Sequence, residues 1–334
     1  MLTMKKIFPL LLLCALFVGV LILSRKNPSP LLSPVPSPRP IWSVRSIDTM
    51  KYSRDIAREK ADKAEFDLVI EQQVASIAAT GASHIAIATP YDEEFTSFLT
   101  RWVKTARKYK LKVWFRGNFS GWEKWFDHER ITRTQHLDLT TQFILANPTL
   151  FEDGDIFTPC PECENGGPGD PRMTGDVQGH RQFLIDSTRV GQTAFNQIDK
   201  EVEVGYHSMN YDVAMAVMDK ETTAAVGGIV AIDHYVRSSD KMIKDIEIIK
   251  EQSGGKIFLG EFGAPIPDLN GQMTQEQQAE WLEYTLNLLV QNNSVMGLNY
   301  WVNVGGSTQL WNDDGTKRLA VDTLTAYYTR LIPQ

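Results

Sequence analysis

The feature that most restricts the fold is a strict alternation of two kinds of segment. From Ile41 onward, short apolar runs of strand length take turns with longer amphipathic stretches of helical length. The strand candidates are Ile41 to Val44, His84 to Ala88, Leu111 to Phe115, Gly154 to Thr158, Val202 to Tyr206, Gly228 to Ile232, Ile257 to Leu259 and Met296 to Tyr300. A helix candidate follows each of them, the first near 58–80 and the last near 320–331. Such alternation predicts a parallel sheet, because each helix must carry the chain back before the next strand begins. Eight units over roughly 290 residues fit a (β/α)8 TIM barrel. A doubly wound sheet would place a glycine-rich phosphate turn after its first strand. None follows here, and the Gly-Gly pairs at 166–167 and 305–306 lie in loops with other spacing.

The first forty residues read differently. Lys5 and Lys6 precede an almost wholly apolar run from Ile7 to Leu23, which Ser24-Arg25-Lys26 closes. This run is at the short limit for a spanning helix and slightly long for a cleaved signal core. Residues 1–26 are therefore expected to be a signal anchor, with a cleaved signal peptide as the alternative. Residues 27–40 interleave six prolines with serines, a composition that forms an extended, semi-rigid spacer. The expected organisation is an anchor (1–26), a linker (27–40) and a barrel domain (41–334). The expected location is the cell membrane, single-pass with the domain outside, or else secretion.

Bulk charge and cysteine content narrow the class. A net charge of −7 argues against nucleic acid as a partner, which normally requires a basic face. Hydrophobic content of 43% is enough for a sizeable core, so the fold does not need staples. Of three cysteines, Cys14 lies in the apolar segment, and Cys160 and Cys163 form a Cys-x-x-Cys. That pair has no second half that would make a zinc site, and no thioredoxin context. A local disulfide or two thiols shaping a loop are the remaining readings. The six histidines are scattered, so no metal site is expected.

In a parallel barrel, chemistry sits at the carboxyl ends of the strands. The run Lys256-Ile-Phe-Leu-Gly-Glu-Phe-Gly-Ala-Pro265 puts Glu261 at such an end. A buried carboxylate there is costly unless something pairs or uses it. The fourth strand leads into Pro161-Glu162-Cys163-Glu164-Asn165. Two carboxylates from two strand ends are the pair a glycosidase needs: one attacks the anomeric carbon and the other protonates the departing oxygen. Other strand ends supply Arg45 and Asp48, Tyr91 and Asp92, Arg116, Asn118 and Trp122, His207 and Asn210, Asp233, His234 and Tyr235, and Trp301 and Asn303. Within that set, Arg45 would oppose the charge of Glu261, and His234 or Tyr235 would donate to it. Trp301 would form the floor under the sugar.

Taken together these residues resemble the clan A glycoside hydrolases, most closely the family 5 type of cellulases and mannanases. Ile257-Phe-Leu-Gly-Glu-Phe-Gly263 is similar to that family's seventh-strand nucleophile motif, which implies Glu261 as nucleophile. Asp233-His234-Tyr235 resembles its sixth-strand His-x-Tyr region, shortened by one residue, and Trp301 its eighth-strand tryptophan. His207 and Arg45 are counterparts at the fifth and first strands. The fourth strand departs from the family's Asn-Glu-Pro. Glu162 takes the acid/base place, Glu164 is the alternative, and Pro161 stands where the family has asparagine. Asn165 or Asn210 is left to contact the sugar 2-hydroxyl. The resemblance implies a retaining hydrolase of β-linked polysaccharides or oligosaccharides, working by double displacement without a cofactor. The alternative is a non-catalytic, surface carbohydrate-binding barrel.

Overall fold

The computed structural model describes residues 39–332. The expected anchor, and the expected linker up to residue 38, lie outside them. No described helix is long and apolar enough to cross a membrane.

Nine parallel strands form one curled sheet. They are β1 (Val44–Asp48), β2 (His84–Ile87), β3 (Lys112–Phe115), β4 (Ile156–Phe157), β5 (Glu203–Val204), β6 (Met209–Asn210), β7 (Ile229–Asp233), β8 (Lys256–Phe262) and β9 (Val295–Tyr300). The hydrogen-bonded order is β5-β4-β3-β2-β1-β9-β8-β7-β6. The two ends of this ladder, β5 and β6, are both pieces of the expected fifth unit and are separated by only four residues. The result is a TIM-like α/β fold. Helices cover the outer face, chief among them Asp67–Ala79, Thr96–Lys108, Arg133–Ala146, Val177–Gln197, Ser239–Ser253, Gln275–Gln291 and Leu319–Tyr328. The sequence marks where two of these begin. Thr132 with Gln135, and Thr274 with Gln277, form reciprocal capping boxes that satisfy otherwise orphaned amides.

The curling is visible in the packing. Val44, Ala86, Trp114, Ile156, Tyr206, Ala231 and Phe258 meet in one buried cluster, with Met296 packed against it. Each comes from a different unit, so this cluster is an interior layer that the whole sheet surrounds. The larger core lies outside, between strands and helices, and holds Ile47, Ile85, Val113, Phe157, Val230, Ile257 and Leu298. Side chains alternate across a strand, so membership of the inner layer fixes which later residues also face inward. Two positions beyond Ala231 comes Asp233, two beyond Trp114 comes Arg116, and four beyond Val44 comes Asp48.

One strand breaks this alternation where it matters. In β8 the register against β7 pairs Ile232 with Leu259 but Asp233 with Glu261, so Gly260 is an extra residue, a β-bulge. Phe258 faces inward and Leu259 outward. The bulge lets both residue 260 and Glu261 face the interior, after which Phe262 again packs outward.

Two differences from expectation concern boundaries. The first strand begins at Val44 rather than ending there. At the start of the described chain, Arg39–Pro40 pairs antiparallel with Leu331–Ile332, so the last two residues expected in the linker join the fold.

Candidate active site

The inward-facing polar residues converge at the carboxyl end of the sheet, around a fully buried arginine. Arg116 Nη1 donates to Glu261 Oε1 at 2.6 Å and to Asp48 Oδ2 at 3.1 Å. Its Nη2 donates to Asp233 Oδ2 at 3.1 Å and to Ser208 Oγ at 3.0 Å. Four units of the fold thus meet on one guanidinium, whose flat fork is suited to several carboxylates at once. Asp48 is fixed in turn by the Met50 amide at 2.7 Å and by Asn299 Nδ2 at 3.2 Å. Burial pushes the Asp48 carboxyl above its ordinary range, against the pull of Arg116. Burial likewise pushes Asp233 well up, with repulsion from Glu261, Glu162 and Glu164 adding to it. One cation cannot neutralise all of these acids, so the site retains protons that an isolated carboxyl would have lost.

Both oxygens of Glu261 are held. Oε1 accepts from Arg116, and Oε2 accepts from the Tyr235 hydroxyl at 2.8 Å. Tyr235 stands edge-on to Trp301, with ring centroids 6.1 Å apart. Glu162 enters from the loop after β4. Each of Glu162, Asp233 and Glu261 offers one carboxylate oxygen, and these three atoms lie within 4.8 Å of one another. Such a trio has the spacing of cation ligands, but the guanidinium of Arg116 already sits against two of its members. The Glu162 carboxyl is pushed up to about 8, first by burial and then by repulsion from Glu261, with Arg116 opposing and Glu164 adding.

Behind Glu162 lies a second acidic layer. Glu164 is buried, and its Oε1 accepts from the Asn210 amide at 2.7 Å and from Asn210 Nδ2 at 3.0 Å. Asn165 Nδ2 donates to Glu162 Oε1 at 3.1 Å. A pocket opens beside Glu162 and Arg116, lined by Arg54, Asn118, Glu123 and Trp125. The Arg54 guanidinium lies 4.0 Å from the centre of the Trp125 ring. Trp125 is partly exposed, and so offers an aromatic wall next to the acids.

Glu261, Glu162, Tyr235, Trp301, Asn165, Asn210 and Glu164 are therefore gathered in one neighbourhood. Four other expected site residues are not. Arg45 faces away, because Val44 occupies the inner face and its neighbour must take the outer one. Its Nε donates to Gly81 O at 3.2 Å and its Nη1 to Trp42 O at 2.8 Å, at the opposite end of the strand. Arg116 holds the place expected for Arg45. Trp122 is buried and stacks on Phe183 at 5.0 Å, so its face is not open to a sugar. His207 turns outward to Thr188 Oγ1 at 2.8 Å, while the next residue, Ser208, faces Arg116. His234 pairs with Asp245 Oδ2 at 2.9 Å and packs on Tyr211 at 4.7 Å. Aligned on Tyr235, which contacts Glu261, the sixth-strand motif is Asp233-x-Tyr235, with no residue missing.

No family model matches the chain, and no curated protein sequence matches it. Solved structures do. A GH5_18 glycoside hydrolase from Streptomyces cattleya, solved in complex with Manβ1-4GlcNAc, is 14% identical with a TM-score of 0.64, covering 87% of this chain and 81% of that one. A GH5_18 protein from Bifidobacterium longum, also with Manβ1-4GlcNAc, is 13% identical with a TM-score of 0.63, covering 87% and 80%. A β-D-glucuronidase from Dictyoglomus thermophilum is 14% identical with a TM-score of 0.56, covering 87% of this chain and 51% of its own. The fold is thus similar to that of family 5 glycoside hydrolases, as the strand-end motifs imply.

Proposed function

We propose that this protein is a retaining glycoside hydrolase acting on β-linked oligosaccharides or polysaccharides, with Glu261 as nucleophile and Glu162 as acid/base. The observation that carries this reading is the separation of the two carboxylates. Glutamates from two strands bring oxygens within 4.8 Å of each other. A retaining pair needs roughly 5–5.5 Å, whereas an inverting pair must leave room for a water, at roughly 6.5–9.5 Å.

The two environments divide the roles. Glu261 is aimed by two donors, Arg116 and Tyr235, and is the group to attack the anomeric carbon. Glu162, pushed up to about 8, carries its proton at neutral pH and is ready to give it to the departing oxygen. Repulsion from Glu261 is one cause of that upward push. Once Glu261 is esterified by the sugar its charge is gone, the Glu162 carboxyl becomes more acidic, and it can take a proton from the incoming water. Glu164 is committed to Asn210 and acts from behind, through its charge. Trp301 and Trp125 supply apolar faces for sugar rings on two sides of the acids. The Manβ1-4GlcNAc held by two structural relatives makes β-linked mannosides and N-acetylglucosamine-containing oligosaccharides the first substrates to screen. The expected membrane anchor at residues 1–26 belongs to this proposal too, and attachment of the full chain to vesicles would test it.

The decisive experiment is Glu261→Ala assayed on aryl β-glycosides. Turnover should fall by about 10³-fold or more, and azide should restore part of it while giving the α-glycosyl azide, the product of one displacement rather than two. Undiminished activity in this variant removes the reading.

A further inference from the structure

The acid lies inside a covalent loop. Its sequence is Cys160-Pro161-Glu162-Cys163, and Cys160 and Cys163 are joined by a disulfide. Both sulfur-bearing residues are buried. Between them Glu162 has a φ of 45°, in the left-handed region that a residue with a Cβ occupies only when its surroundings hold it there. This conformation directs the Glu162 carboxyl toward Glu261 and Asp233. The backbone around it is tied on both sides. The Glu162 amide donates to Ser208 O at 2.7 Å, and the Asn165 amide donates to Glu162 O at 2.7 Å. Trp122 Nε1 donates to Cys163 O at 3.1 Å, which locates the bridge against the helical layer. Pro161 has its own φ fixed by its ring.

We propose that the Cys160–Cys163 disulfide is a positioning brace for the general acid, holding the left-handed turn that aims Glu162 across the site. The inference rests on the reading of Glu162 as acid/base. Closing so short a loop removes little freedom from an unfolded chain, so the bridge acts on the local turn more than on the stability of the whole domain. Its burial, away from any reductant, suits a permanent brace. Trp122, whose face is closed to a sugar, instead seats the bridge through its bond to Cys163 O.

The test uses the double variants Cys160→Ser/Cys163→Ser and Cys160→Ala/Cys163→Ala beside the wild-type chain, with two substrates. A phenyl β-glycoside needs its leaving oxygen protonated, and a 2,4-dinitrophenyl β-glycoside does not. On the phenyl glycoside, kcat/KM should fall by about tenfold or more, with the loss in kcat rather than KM. On the dinitrophenyl glycoside it should stay within about threefold. The alkaline limb of the pH profile should also move to lower pH, because a loosened turn lets water reach Glu162. Equal changes on the two substrates, or no change, overturn the proposal. So does failure of both double variants to fold, because the bridge would then serve the fold and not the acid. A wild-type chain inactive on every glycoside is a different result, the failure of the glycosidase reading. In that case the difference in the pH dependence of Tm between Glu162 and Glu162→Gln, measured with and without the bridge, reports the protonation of Glu162, and an identical difference in the two backgrounds overturns the brace.

Discussion

At the scale of single residues, the site is defined by one cation among too many acids. Arg116 bonds Asp48, Asp233 and Glu261, and Glu162 lies within reach of the same field. The proton held by Glu162 is the expected consequence, and it has a measurable cost. In the unfolded chain this carboxyl titrates near its ordinary value of 4.5, and in the fold near 8. Below the lower value both states are protonated, and the fold keeps its full stability. Between the two values the unfolded state gives up a proton that the folded state retains, so stability is lost as pH rises toward about 8. Glu162→Gln cannot titrate and should escape this loss. Thermal melts of the two proteins should coincide near about pH 4 and diverge in favour of the variant toward about pH 8, by an amount on the order of a few kcal/mol or several degrees. Parallel melting curves across that range would show that Glu162 is not the group that holds the proton. If Glu162 is the acid as proposed, the same group should set the alkaline limb of kcat/KM, and Glu164→Gln, which removes one source of repulsion, should move that limb to lower pH.

At the scale of elements, the bulge in β8 decides whether the site exists. A glycine is required at 260 because the interior has no room for a side chain there. A Cβ would stand 2.5 Å from Asp233 Oδ1 and 2.7 Å from Ser208 Cβ, both partners of Arg116. Gly260→Ala should therefore displace Asp233 or flatten the bulge, and flattening turns Glu261 to the outer face. The expected result is a loss of about 10²-fold or more in kcat with a Tm lowered by several degrees. Wild-type kinetics in this variant would show that the register carries no such burden. The same logic marks what the sequence made legible. Alternation announced the eight units, and two strand-end glutamates, Glu162 and Glu261, do meet in space. Period-two counting within strands also contained the rest of the site. Trp114-x-Arg116, Ala231-x-Asp233 and Val44-x-Ser46-x-Asp48 all point inward once one inner residue is known. Placing the first strand a few residues too early hid this, because it made Arg45 a strand end when it is a strand interior. His207, His234 and Trp122 were not recoverable by counting. The two histidines sit in loops and Trp122 in the short helix Ser120–Glu123, and their partners, Thr188, Asp245 and Phe183, come from helices elsewhere in the chain, so only tertiary packing brings them together.

At the scale of the whole barrel domain, the two ends of the sheet have separate tasks. The buried acids and Arg116 gather at the carboxyl ends of the strands, whereas the described chain enters and leaves at the amino ends. Arg39–Pro40 precedes β1 and pairs with Leu331–Ile332, just beyond the last helix. Nearby, the hydroxyl of Tyr328 donates to Ser46 O at 2.8 Å, tying that helix to β1. This clasp joins the two ends of the described chain and makes no contact with the acids. The described chain therefore begins at the pole away from the acids. A chain that begins at Pro38 should consequently fold and should hydrolyse a soluble β-glycoside with kcat/KM within about twofold of the full-length protein. Extending the deletion through Pro40 removes one strand of the clasp. That should lower Tm by a few degrees, about what a loss of 1 kcal/mol does in a domain of this size, and still leave kcat unchanged. A fall in kcat on deleting residues 1–37 alone would mean that turnover does not rest on the barrel domain by itself, and the independence of the acids from that segment would have to be given up.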